Sequence, residues 1–233
     1  MYRHRYLENV ISELNKSFKA LYLSGPRQTG KTTLLKHLSE ETARNYVSLD
    51  DLVKRRLAKQ DPRLFLEKFA PPVLIDEVQY APELFPYIKI DVDRAQKNGL
   101  YWLTGSQQFS VMKNVSESLA GRIGIVHLLG FSMAEYRKMP CAPHPFLPGV
   151  SSVKTANSVS LDILFKTIIR GSFPALSNKN PAPLEIFYNS YVQTYIDRDL
   201  RDIFNVAKIE EFNKFLQLCA ARTGQILNYS DLA

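Results

Sequence analysis

Gly25-Pro26-Arg27-Gln28-Thr29-Gly30-Lys31-Thr32 fits the spacing GxxxxGK[ST] in full. That pattern is what a phosphate cradle needs. Glycines at its ends let the backbone approach a polyphosphate closely, and a helix opening at the end of the loop adds the positive end of its dipole. Lys31 supplies a compact cation to the β and γ phosphates. The Thr32 hydroxyl is a hard oxygen ligand for Mg²⁺. Pro26, Arg27, Gln28 and Thr29 form the wall of the loop, and Thr33 follows on the helix. ATP with Mg²⁺ is therefore the expected ligand.

A second constellation, Val73-Leu74-Ile75-Asp76-Glu77, is an aliphatic run closed by two carboxylates. Alone it would read as a solvated strand end; downstream of the cradle it reads as a Walker B element. Asp76 is then expected to hold Mg²⁺ through water, and Glu77 to orient and deprotonate the attacking water. A third is Thr104-Gly105-Ser106-Gln107. In sheets of this class its strand lies between those of the cradle and of Asp76, so Ser106, or else Thr104 or Gln107, is a candidate to hydrogen-bond the γ-phosphate or the water. A plain turn is the alternative. Arg122, in Ser118-Leu119-Ala120-Gly121-Arg122, is open to three roles: charge stabilisation in cis, the same in trans on a neighbouring copy, or a surface charge.

These residues need elements to position them. Short apolar runs at 20–24, 45–49, 72–76, 100–104 and 125–129 alternate with segments patterned as helices, which begin after Gly30 and near Leu52, Leu84 and Ser116. The alternation predicts a parallel sheet covered by helices on both faces. Prolines at 140, 143, 145 and 148 and polar residues after them mark 140–160 as a linker or loop. Beyond it Phe187, Tyr191 and Tyr195 recur four apart on a helix running to about Phe204, and core packing is the expected use of that stripe. A further helix over 209–223 is closed by Gly224, and Ser230 offers a last N-cap.

Composition narrows the classes. With 45% hydrophobic and 23% charged residues the chain can bury a core, and no apolar run is long enough to span a bilayer, so a cytoplasmic protein without a membrane partner is expected. Cys141 and Cys219 stand far apart, and His4, His37, His127 and His144 are scattered, so neither a disulfide framework nor a metal site made wholly of protein ligands is indicated. The net charge of +7 favours an encounter with nucleic acid in direction only, because Lys54, Arg55, Arg56 and Lys59 are the one modest basic cluster and read first as a solvated helix face.

Taken together, residues 25–35, Ser48-Leu49-Asp50-Asp51, residues 73–82, Thr104-Gly105-Ser106-Gln107 and residues 117–135 resemble a group of bacterial and archaeal AAA-superfamily ATPases. The run Asp76-Glu77-Val78-Gln79-Tyr80-Ala81-Pro82-Glu83-Leu84 is among the more particular parts of the match. Arg170-Gly171-Ser172-Phe173-Pro174 and Tyr195-Ile196-Asp197-Arg198-Asp199-Leu200 resemble motifs of that group's second, helical domain of unknown function. The resemblance implies an α/β fold with a P-loop NTPase sheet in the order 5-1-4-3-2, helices on both faces, and a smaller mostly helical C-terminal domain. The expected divisions are an ATPase domain over 1–139, a linker over 140–160, and an incomplete helical domain over 161–233 that stops where a winged-helix-like segment would begin. Function follows as a Mg²⁺-dependent ATP hydrolase that binds ATP and ADP and couples nucleotide state to domain rearrangement. The alternative is a nucleotide-gated regulatory or nucleic-acid-binding module with little turnover, and a homo-oligomer is a candidate assembly for either.

Overall fold

Strands that are apolar on both sides must be covered on both sides, and this chain builds such a sheet. In the computed structural model the described residues are 2–40, 42–105, 115, 118–139, 160–178, 180–195 and 209–230. By contact the chain divides into two compact units, Met1–Pro181 and Ala182–Ala233.

The first unit holds five parallel strands: β1 (Ala20–Ser24), β2 (Asn45–Ser48), β3 (Val73–Asp76), β4 (Tyr101–Thr104) and β5 (Ile123–His127). They lie in the order β2-β3-β4-β1-β5, the expected order read from the opposite edge. Alternation along β1 sends Ala20 and Tyr22 to one face and Leu21 and Leu23 to the other. On the second face they meet Ile11 of α1 (Leu7–Ser17) and Leu34 and Leu35 of α2 (Lys31–Ser39). The first face is covered by α3 (Leu52–Gln60), α4 (Pro62–Lys68) and α5 (Leu84–Arg94), which bury Ala58, Phe65, Phe85 and Ile88.

Details depart from the sequence pattern for local reasons. A helix near Leu52 is expected, and two are found, because Asp61 ends α3 and then caps α4 by accepting from the Leu64 N–H, with Pro62 opening the new helix. β5 starts two residues before the expected position: Ile123 pairs with Ala20, and Gly124 lies under Leu14 and Phe18 of the α1 region. α1 is absent from the sequence reading, although Leu7, Ile11 and Leu14 carry helical spacing. The helix expected near Ser116 falls largely outside the described residues, but Val115 and Leu119 are fully buried on the first face. Residues 140–159 of the expected linker also lie outside them.

After β5 come the single turn α6 (Met133–Tyr136), α7 (Leu161–Arg170) and a 3₁₀ turn at Pro174–Ser177. Arg170-Gly171-Ser172-Phe173-Pro174 joins the last two; the Phe131 N–H donates to the Ser172 carbonyl at 2.7 Å, tying that run to the exit of β5. The second unit contains α8 (Leu184–Tyr195) and α9 (Ile209–Ala221). On α8 the Phe187 and Tyr191 rings stack at 6.3 Å. Gly224, after α9, has φ +82°, as a helix-closing glycine requires. The helix start expected at Ser230 leads into residues outside those described.

Candidate functional site

In the register of the sheet Leu23 stands beside Thr104 and Ser48 beside Asp76, so the carboxyl ends of β1, β2, β3 and β4 converge on one rim. Open parallel sheets offer their ligand crevice at such a rim. The loop leaving β1 is committed to its shape by Gly25, where φ is +143° and a Cβ would lie 2.1 Å from the Leu128 carbonyl oxygen. Gln28 is also left-handed at φ +62°, and Gly30 caps α2. The Thr29 hydroxyl braces the turn by donating to the Pro26 carbonyl at 2.9 Å.

Lys31 is buried, and its ammonium donates to the carbonyls of Gly25 at 3.0 Å and Pro26 at 2.8 Å. The cation is thereby held across the loop. One residue on, the Thr32 hydroxyl donates to both oxygens of Asp76, at 2.9 and 3.1 Å. This contact joins the start of α2 to the end of β3. Thr104 also donates to Oδ1 of Asp76. Tyr46, at the edge strand β2, donates to Oδ2 at 3.1 Å, and Lys36 lies over its ring at 3.8 Å. Burial, then the charge of Asp76, pushes the Tyr46 phenol up to about 12, so it stays a donor at neutral pH.

Glu77 has φ +59° and ψ +46°, a left-handed conformation uncommon outside glycine. Its N–H donates to the Thr104 hydroxyl at 3.3 Å, and its carboxylate accepts from the Gln79 amide. Lys31, Thr32, Asp76, Glu77 and Thr104 are thus brought together. Ser106 and Gln107 lie outside the described residues. Arg122 stands elsewhere: it precedes β5, its carbonyl accepts from the N–H of Ala20 at the start of β1, and its guanidinium pairs with Asp93. The length of β1, roughly 16 Å for five residues, separates that end of the sheet from the phosphate loop.

A hard metal of small radius takes a few protein oxygens and keeps water. The Thr32 hydroxyl and Asp76 carboxylate are such oxygens, adjacent to each other, with the carboxylate positioned by two further donors, Tyr46 and Thr104, and they fit Mg²⁺. Among the described residues no group of three or more His, Cys, Asp or Glu could hold a metal unaided. On the other flank of the loop, Thr29, Gly30 and Thr33 line a cavity of about 130 Å³, closed by Tyr2, Arg3, Arg5, Phe131 and the turn at Pro174–Ser177.

Sequence reasoning overlooked Tyr46, Gln79 and the deepest of the supporting groups, Arg5. Arg5 is buried, and its guanidinium donates to the carbonyls of Thr29 at 3.1 Å, Leu129 at 2.8 Å and Gly130 at 3.2 Å, and to Glu135 at 3.1 Å. It also stacks on the Phe131 ring. Glu135 in turn accepts from the N–H groups of Tyr6 and Ser132. The one signal for this clamp was Ser132 followed by Glu135, the spacing of a capping box.

Comparison with known proteins gives two family matches, an AAA domain over residues 17–137 and a domain of unknown function over residues 161–233. Uncharacterized proteins of Mycobacterium bovis and Mycobacterium tuberculosis are each 29% identical over 216 residues. Those matches cover 91% of this chain and 43% of theirs, so the chain spans about half the length of the curated relatives it matches. Among solved structures, a Walker-type ATPase of Pyrococcus abyssi aligns with a TM-score of 0.53 at 14% identity, covering 97% of this chain and 86% of that one. At that identity the likeness shows the fold. Among the described residues no helix is long and apolar enough to cross a membrane.

Proposed function

The chain belongs to the AAA-domain family, and from that premise we propose that it is a Mg²⁺-dependent ATP hydrolase whose site is the rim formed by the P-loop, Asp76, Glu77 and Thr104. The observation that carries the reading is the Thr32 to Asp76 contact at 2.9 Å, which unites the end of the cradle with the Walker B carboxylate. Residues 25–30 wrap the phosphates, and Lys31 swings its ammonium from the loop carbonyls to the β and γ phosphates. Thr32 and Asp76 are the residues that would hold Mg²⁺. The metal ion, when bound, neutralises charge on the phosphate oxygens. Glu77 accepts the proton of the attacking water. Thr104, bonded to both Asp76 and the Glu77 backbone, keeps the metal-binding and base carboxylates in fixed relation.

The test is phosphate release from Mg²⁺-ATP by the purified chain and by Glu77→Gln. The amide keeps the shape of the side chain but cannot accept the proton, so ATP binding should persist while turnover falls by about 10²-fold or more. Equal turnover in both proteins would remove Glu77 from the chemistry.

A further inference from the structure

In the run Asp76-Glu77-Val78-Gln79 the two carboxylates face the rim and Val78 is buried in the core, which leaves Gln79. Gln79 lies in the 3₁₀ turn Val78–Tyr80, directly after Glu77, and its side-chain N–H donates to Oε2 of Glu77. Its amide oxygen is buried. The surroundings hold the amide in a slot. A Cβ added at Gly105 would come within 2.6 Å of that oxygen and within 2.8 Å of the Tyr22 hydroxyl, so both already fill the space beside Gly105. Tyr22, fully buried on β1, closes the other side of that space with its hydroxyl. The turn itself is anchored by the Tyr80 N–H on the Glu77 carbonyl at 3.1 Å and by Arg55 over the Tyr80 ring at 3.9 Å.

We infer that Gln79 is the positioning residue of the general base, and that Gly105 is glycine because the Gln79 amide occupies the space a side chain there would need. The inference rests on the hydrolase reading. Glu77 leaves the main chain from a left-handed residue, so its carboxylate reaches a direction that a strand or helix would not give it. A carboxylate on three free torsions would sample many positions around that direction. The Gln79 amide selects one by binding Oε2, and leaves Oε1 to accept a proton from water. No bond to Gln79 forms or breaks during the reaction; the proton passes from water to Glu77 alone.

The experiment is a double-mutant cycle between Gln79 and Glu77, with Gln79→Met removing the donor at nearly constant volume. The expected result is unchanged Mg²⁺-ADP affinity by calorimetry, a KM for ATP within about twofold of the parent, and a kcat lowered on the order of tenfold to a hundredfold, the scale of a misplaced catalytic group. In the Glu77→Gln background the same substitution should change kcat by less than about twofold, since a positioning residue has nothing left to position. Gly105→Ala, which drives a methyl into the amide, should reproduce the kcat loss with ADP affinity intact. Parent-like kcat in Gln79→Met, or a full additional loss on top of Glu77→Gln, overturns the inference while the Glu77→Gln result by itself still supports hydrolysis. If Glu77→Gln alone leaves turnover at the parent level, Glu77 is not the base and the positioning role falls with it, whereas a parent chain without Mg²⁺-ATP turnover overturns the hydrolase reading itself.

Discussion

Removing the Arg5 guanidinium should be among the most damaging single changes in the first unit, although the residue lies far from the motifs in sequence. Arg5 and Glu135 side chains are each 6% exposed, and the cation also satisfies three backbone carbonyls, one of them on the phosphate loop. Arg5→Met keeps much of the aliphatic bulk but leaves Glu135 as a buried charge. Breaking a buried pair in this way costs about 3–5 kcal/mol, a large share of the roughly 5–15 kcal/mol that holds a domain folded. In urea the midpoint should fall by roughly 1–3 M, taking a slope of about 2 kcal/mol per M. Arg5→Met with Glu135→Gln should recover about 1–2 kcal/mol, because the amide removes the stranded charge yet still accepts from the Tyr6 or Ser132 N–H.

The pH dependence has a definite sign. Burial would raise the Glu135 carboxyl, but the Ser132 and Tyr6 N–H groups and the Arg5 charge outweigh it and hold the group below the usual carboxylate range. A depressed folded pKa adds stability that is present above the unfolded value and lost as pH falls through the folded one. Glu135→Gln should therefore flatten the acid branch of the stability curve. A loss below about 1 kcal/mol in Arg5→Met, with an unaltered acid branch in Glu135→Gln, would refute the clamp.

Two further outcomes follow from the site. Lys31→Ala should weaken Mg²⁺-ATP binding by about 2–4 kcal/mol by calorimetry, through loss of a charge-assisted contact in a partly desolvated loop, and unchanged affinity would withdraw the P-loop assignment. Arg122→Ala separates the three roles: rescue of its lowered turnover in mixtures with Lys31→Ala, whose own site is dead but whose arginine is intact, marks a role in trans, a loss that mixing does not rescue marks one in cis, and parent-like turnover in the pure variant leaves Arg122 as a surface charge paired with Asp93.

The parts of this site that could be read from sequence are those whose chemistry and chain position coincide. Residues 25–32 are consecutive, their glycines serve their own loop, and the helix they open supplies its own dipole, so spacing alone carried the reading. Asp76 was legible because the aliphatic strand before it is buried on both faces, which forces the strand to end where polar residues begin. The strand order came through the resemblance and agrees with the observed sheet.

What escaped has a common cause, namely that a hydrogen bond between residues far apart in the chain leaves no periodic trace. Tyr46 reaches Asp76 from 30 positions away and Arg5 reaches Glu135 from 130. In sequence each is one aromatic in a short strand or one arginine in a basic N-terminus, and local patterning offers nothing to distinguish them from ordinary surface residues. Arg122 fails in the opposite sense. Its Gly121-Arg122 turn is conspicuous and sits within the resemblance, but strand direction places it at the amino end of β5, while parallel strands gather their ligand at the carboxyl end. Sequence proximity to a motif therefore says little about which rim a residue occupies; the direction of its strand decides, and for Arg122 that is the rim away from the phosphate loop, where its guanidinium meets Asp93.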